Sequence, residues 1–189
     1  MIQAQRGIGL IEVLVALMLL AIAVLGFSAM QLTALKATDE SVMRSRAITI
    51  MRGAAEMMRA NPTGIAKFGD ALNSSASTIS LTVGGVAINK NSCITSGTTT
   101  SSCTIQQLAT RDGLALKQYA TDNEIKIRLE TCPATSSGTP LSCLIAAWGD
   151  TDPIFLDNAV ASDTTKDKPC ANEDAVYNFG AQCFIMEAY

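Results

Sequence analysis

Histidine is absent from the 189-residue sequence, which therefore lacks the commonest general base and the commonest ligand of catalytic metals. The sequence also lacks a GxSxG elbow, a Walker-type phosphate loop, a GxGxxG turn and an HExxH pair. Without histidine a serine or cysteine nucleophile would need another base, and no cluster of residues suggests one. The sequence therefore predicts a protein that is not an enzyme and that uses no cofactor.

An excess of basic residues is missing as well. Lysine and arginine total 14 against 17 aspartates and glutamates, so the formal net charge is −3 and no nucleic-acid partner is expected. Two groups of acidic residues invite a calcium interpretation: Asp150, Asp152 and Asp157, and further on Asp163 and Asp167. Neither group has the ligand order of an EF-hand, so solvated loops are the preferred interpretation and no metal site is predicted.

Charge is almost missing from one long stretch. From Ile8 to Met30 the only charged residue is Glu12, and no proline occurs before Pro62. A helix of that length spans roughly 34 Å, enough to cross a hydrocarbon core of about 30 Å. The run exceeds a usual signal-peptide h-region and has no clearly placed small-x-small cleavage site. The stretch therefore predicts a retained membrane-spanning helix.

Glu12 is the feature that a simple membrane anchor leaves unexplained, because a carboxylate within a membrane helix is costly and is rarely kept without a partner. It lies five residues after Gly7. A cut between Gly7 and Ile8 would create an amine at Ile8, within reach of Glu12 on a neighbouring copy of such a helix. That pairing would satisfy both charges and fix the axial register. In the simpler alternative, Glu12 lies among lipid headgroups, favoured by the helix dipole.

These residues carry a resemblance to a known family. Arg6 and Gly7, followed by IGLIEV and an uninterrupted apolar helix, look like the class III signal of type IV pilins and pseudopilins. The longer string QRGIGLIEVLVALMLLAIAVLGFSAMQ resembles the type IV pilus modification protein PilV family of minor pilins. Major pilins usually begin the mature chain with Phe and carry prolines in the long helix. Ile8 and the late first proline, Pro62, both point away from the major subunit.

The resemblance implies a function and a set of partners. A prepilin peptidase is expected to cleave after Gly7 and to methylate the new amine of Ile8, while Glu12 serves assembly and register. The implied protein is a minor pilin that promotes pilus assembly in an initiation or tip complex, with roles in adhesion and twitching motility. Its expected partners are other minor and major pilins, the inner-membrane assembly platform and a tip adhesin. It would span the inner membrane once, with a periplasmic C-terminal domain, before entering the extracellular pilus.

Six cysteines follow the membrane helix: Cys93, Cys103, Cys132, Cys143, Cys170 and Cys183. An even number in an exported region indicates disulfides, although six cysteines allow 15 connectivities. The sequential pairing is preferred because each such pair brackets a turn-rich segment. Each bond would close a loop of about 11 to 14 residues and contribute about 2 to 3 kcal/mol in the chain-entropy model. A zinc site would need closer ligand spacing, such as C-x2-C.

The domain organisation follows from how the helix pattern changes. Residues 1–7 are expected to be a leader, 8–30 the membrane and filament-core half of the helix, 31–61 its amphipathic half, and 62–189 a globular domain. Pro62 and Gly64 place the helix end near Asn61. The predicted fold is α+β and pilin-like, with a helix of about 50 residues packed on a C-terminal antiparallel β-sheet domain with disulfides.

Within the globular domain the patterns predict one helix over 105–119, weakened by Gly113, and strands over 78–83, 124–130, 144–148 and 183–187. Residues 62–76 are predicted to be a connecting segment with little periodicity.

Two alternatives to the minor-pilin hypothesis remain open. A minor pseudopilin of a type II secretion system has the same kind of N-terminal signal and helix. The neighbouring genes, either pilus genes or secretion genes, would distinguish a pilin from a pseudopilin. An anchored periplasmic binding domain that never polymerises would keep an intact N-terminus at Met1.

Overall fold

The computed structural model describes residues 9–75, 77–94, 102–133, 141–156 and 168–188. The elements, in chain order, are α1 (Leu10–Ala60), a short 3-10 turn (Pro62–Gly64), α2 (Ile65–Asn73), β1 (Ser80–Val83), β2 (Val86–Asn89), α3 (Ile105–Asp122), β3 (Lys126–Thr131), β4 (Ser142–Ala147), β5 (Thr151–Phe155), β6 (Lys168–Ala171) and β7 (Cys183–Glu187).

The long helix α1 is confirmed, and it ends at Ala60, one residue before the predicted end at Asn61. The chain divides into two compact units, Met1–Val42 and Met43–Tyr189, and the boundary falls within this helix. In the second unit α1 buries one face, whose members recur at helical spacing: Ala47, Ile50, Met51, Ala54, Ala55 and Met58. This face joins the hydrophobic core formed with α2, α3, β3 and β4.

The prediction of a connecting segment over 62–76 was wrong, because α2 occupies most of it. Pro62 opens the preceding turn, where a missing N–H costs nothing, and Phe68 and Leu72 then bury one side of the helix. The helix packs closely on α3. A Cβ at Gly113 would lie 2.7 Å from the Cβ of Ala71 and 2.8 Å from the carbonyl oxygen of Phe68. Gly113 therefore permits this approach as well as lowering the helix propensity of α3.

The predicted helix over 105–119 is confirmed as α3, which extends to Asp122. A capping box begins it: the Gln107 N–H donates to Thr104 Oγ1 at 3.3 Å, and the Thr104 N–H donates to Gln107 Oε1 at 3.0 Å. Gln107 Nε2 also donates to the Val83 carbonyl oxygen at 3.2 Å, which ties α3 to β1.

The central sheet has the order β3-β4-β7 and is antiparallel throughout. Its three strands correspond to those predicted over 124–130, 144–148 and 183–187, the last with the predicted bounds. The first begins two residues late, at Lys126, because Glu124 adopts a left-handed φ of 61°. Ile127, Leu129 and Leu144 are buried in the core.

Two smaller sheets complete the domain. The strand predicted over 78–83 is the shorter β1, and it pairs with the unpredicted β2 in an antiparallel hairpin. Its two-residue turn uses positive φ at Gly84 and Gly85, 61° and 79°, as tight hairpin turns require. The second sheet is the parallel pair β5–β6. Neither strand was predicted, since each contains a proline, Pro153 or Pro169, which weakens a strand pattern.

Three disulfides close the domain in the sequential order: Cys93–Cys103, Cys132–Cys143 and Cys170–Cys183. Their Cα–Cα separations of 5.5, 5.0 and 5.8 Å fall in the usual range for disulfides. The structure thus chooses the preferred pairing among those that the sequence allows. The zinc alternative is excluded, because all six sulfurs are bonded in pairs.

Candidate functional site: the start of the N-terminal helix

Glu12 lies in the first turn of α1, where the backbone N–H of Glu12 donates to the Gly9 carbonyl oxygen at 3.0 Å. A carboxylate at this position interacts favourably with the exposed N–H groups at the positive end of the helix dipole. Gly7 and Ile8, the predicted cleavage and methylation residues, lie outside the described residues. Their roles, and the pairing of Glu12 with the Ile8 amine, stay predictions.

The surface around Glu12 is apolar on every side. Large apolar side chains from Leu10 to Leu35 are between 47% and 79% exposed, so the first unit buries none of them itself. By length and composition α1 can cross a membrane. A helix that is apolar all round needs lipid or other helices against it, because water would leave that area unfavourably hydrated.

The hydroxyl groups of this half are satisfied within the helix. Ser28 Oγ donates to the Val24 carbonyl oxygen at 2.9 Å, and Thr33 Oγ1 donates to the Ala29 carbonyl oxygen at 3.1 Å. Such back-bonding lets hydroxyls enter an apolar environment without a partner from another chain. From Gly9 to Leu35, Glu12 is therefore the one charged group, and its carboxylate needs a polar or charged partner from the surrounding lipid or helices.

A second polar feature, Lys117 in the globular domain, stabilises the fold. Lys117 borders a cavity of about 400 Å³. Its ammonium donates to Ser74 Oγ at 2.7 Å, to the Ser74 carbonyl oxygen at 2.9 Å and to the Ser75 carbonyl oxygen. Burial lowers the pKa of Lys117 from its ordinary value, since desolvation disfavours the ammonium. The side chain closes the C-terminal end of α2, a favourable place for a cation.

The acidic residues weighed as calcium ligands do not come together in the part that can be described. Asp152 lies in β5 and forms an ion pair with Lys126, and Asp150 is exposed. Asp157, Asp163 and Asp167 lie outside the described residues. Within the described ranges, no group of three or more potential metal ligands occurs.

A long N-terminal helix packed through its second half on antiparallel sheet, with three disulfides, defines an α+β fold of the pilin class. Comparison with family models agrees with that class. Residues 2–28 match the prokaryotic N-terminal methylation motif, a segment that includes Gly7, Ile8 and Glu12. Residues 29–114 match the family of type IV pilin Tt1218, from the middle of α1 into α3.

The chain is therefore similar to type IV pilins over its N-terminal half, and neither match supports PilV in particular. No curated protein and no solved structure matches the chain. The methylation motif and the apolar helix fit a pilin that is first anchored in the inner membrane and then enters a pilus.

Proposed function

We propose that this protein is a minor pilin of a type IV pilus, a non-catalytic structural subunit that promotes assembly in an initiation or tip complex. One observation carries the proposal most directly. A single carboxylate, Glu12, lies at the start of α1, whose residues up to Leu35 are otherwise uncharged and whose large apolar side chains there are exposed, within a segment that matches the methylation motif. A pilin-class fold with a disulfide-closed domain supports the structural role.

In the proposed mechanism, prepilin peptidase removes residues 1–7 and methylates the amine of Ile8. Residues 8–30 hold the subunit in the inner membrane, with the domain of residues 62–189 in the periplasm, until the assembly platform extracts it. In the filament these helices form an apolar bundle. An unpaired carboxylate there would cost about 3 kcal/mol on insertion scales, so Glu12 favours the axial position at which it meets a neighbour's Ile8 amine.

The minor role rests on Ile8 at the start of the mature chain and on the absence of proline from α1. Other minor and major pilins are the proposed neighbours, with a tip adhesin as a further partner. The proposed functions in adhesion and twitching motility follow from that position in the pilus.

The proposal is tested by Glu12→Ala in the full chain, expressed in its own host. Cleavage after Gly7 should proceed, because Glu12 lies beyond the scissile bond, whereas incorporation should fall about tenfold or more as the charge pair is lost. The measurement compares the mature chain in membranes with the chain in sheared pili. Glu56→Ala is the control, since exposed Glu56 pairs with Arg59 at 2.8 Å on the second half of α1.

Wild-type amounts of the Glu12→Ala chain in pili would contradict the proposed role of Glu12 in assembly. A wild-type chain that is absent from pili, but whose loss blocks protein secretion, would overturn the pilus assignment in favour of a pseudopilin.

A further inference from the structure

The two outer edges of the central sheet differ in how their backbone groups are satisfied. At Leu129 the β3 edge is closed by α2. Asn73 Nδ2 donates to the Leu129 carbonyl oxygen at 2.7 Å, and the Leu129 N–H donates to Asn73 Oδ1 at 3.0 Å. One side-chain amide thus replaces the two hydrogen bonds that a further strand would make at this residue.

Along β7, no side chain among the described residues bonds both the N–H and the C=O of one outward residue. The Ala188 N–H donates to the Ser142 carbonyl oxygen, and the Trp148 N–H donates to the Gln182 carbonyl oxygen. Because hydrogen-bonded positions alternate along an antiparallel strand, the backbone groups of Cys183, Ile185 and Glu187 face away from β4.

One of these outward groups has a substitute partner. The Ile185 N–H donates to Tyr177 Oη at 3.1 Å. Among the described residues, no partner is found for the outward N–H and C=O groups of Cys183 and Glu187. Since Tyr177 is half exposed, its hydroxyl can be displaced by a strand carbonyl, which would accept the same proton.

A groove of about 600 Å³ runs beside this edge. Its walls include Ile48 and Arg52 from α1, and Phe184 and Met186 from β7. Phe184 is 38% exposed, and so it offers apolar surface beside the unpaired backbone groups. Arg52 is exposed and has no ion-pair partner within the described residues, although its neighbour along the helix, Glu56, pairs with Arg59.

We propose that the β7 edge and this groove bind an extended strand of a different protein, which extends the sheet β3-β4-β7 by one strand. The chemistry of the surface specifies the occupant. Backbone hydrogen bonds at Cys183, Ile185 and Glu187 require an extended polypeptide, alternate apolar side chains fill the groove beside Phe184, and a carboxylate faces Arg52. Addition of a strand at a sheet edge uses main-chain bonds for affinity and side-chain pockets for specificity. This interaction is independent of the proposed processing at Gly7.

The test uses photo-crosslinking of the full chain in its own host membranes. Phe184→p-benzoyl-phenylalanine places the reactive group in the groove while keeping an aromatic ring, and mass spectrometry maps both linked residues. The expected product joins position 184 to one segment of another protein, with apolar residues at alternate positions and an acidic residue. Tyr177→Phe should raise the yield, because it removes the hydroxyl that competes for the Ile185 N–H.

Two variants in the same background block the edge. Glu187→Pro removes an outward N–H without touching the bonds to β4, and Arg52→Glu places an anion where the groove, which also contains Glu187, has its cation. Each should lower the yield about tenfold. Thr131→Pro, at an exposed outward position of the opposite edge, and Arg46→Glu, on α1 but outside the groove, are the matched controls and should leave the yield within about twofold.

Crosslinks that persist in Glu187→Pro and Arg52→Glu would overturn the proposal, since binding would then not use the edge. Crosslinks only to a second copy of this chain, or none in the parent protein, would also overturn it. Loss in all four variants would indicate general damage to the domain and would contradict an edge-specific site.

Discussion

At the scale of single residues, some roles can be predicted from the neighbouring sequence, whereas others depend on a partner that is distant along the chain. Glu12 and the cysteines can be identified from sequence because their chemistry conflicts with, or depends on, a local setting: an apolar run for Glu12 and an exported region for the cysteines. Asn73 gave no such signal. Its partner Leu129 lies 56 positions further along the chain, and an asparagine followed by Ser74 and Ser75 reads as an ordinary loop residue.

Asn73 should therefore matter more to stability than its exposed position suggests. In Asn73→Ala the Leu129 N–H and C=O lose their partners, and we expect the free energy of unfolding to fall by about 2 kcal/mol. Urea unfolding of the full chain in detergent micelles would measure this change. In Asn123→Ala, which removes only an exposed bond to the Tyr119 carbonyl oxygen, we expect a change within about 0.5 kcal/mol. Equal effects of the two substitutions would show that the amide does not stabilise the edge of β3.

At the scale of elements, success followed the strength of the local pattern. The helix α3 could be predicted because its apolar positions recur over several turns, and β3 because Ile125, Ile127 and Leu129 alternate with charged residues. The helix α2 was missed since nine residues give only about two and a half turns of periodicity. Strands β5 and β6 were missed because each is short and holds a proline, and their pairing joins separate parts of the chain.

The close packing of α2 on α3 makes a sharp prediction at this scale. Gly113→Ala raises the helix propensity of α3, but its Cβ would clash with the backbone of Phe68 and with Ala71. Overpacking of this kind costs about 1 to 3 kcal/mol, which exceeds the gain of roughly 1 kcal/mol from propensity, so we expect a lower stability.

Gly53→Ala is the matched comparison, because a Cβ there has no neighbour within 4 Å. Only the propensity term applies to this substitution, and α1 should gain roughly 0.5 to 1 kcal/mol. Thermal and urea unfolding of both variants should therefore give shifts of opposite sign. Stabilisation by Gly113→Ala would contradict the close approach of the two helices.

At the scale of the whole molecule, the two compact units differ in how their apolar side chains are kept from water. The second unit buries its own core and closes it with disulfides, as an independently folded domain does. The first unit leaves its apolar side chains exposed and is stable only when lipid or neighbouring helices surround it. The pilin class could be inferred from the sequence because this division appears as an uncharged run followed by an amphipathic one. The free edge of β7 could not be inferred from the sequence, because it depends on which strands are neighbours in the sheet.

The central claim is that the chain enters a filament after cleavage between Gly7 and Ile8. Intact mass with N-terminal peptide sequencing, on protein from its native membrane and without reducing agent, tests it most directly. We predict a chain that begins at methylated Ile8 and is six hydrogens lighter than its thiol form, since three disulfides each remove two. A chain that still begins at Met1, in a host whose prepilin peptidase is active, would contradict the claim and leave a membrane-anchored domain.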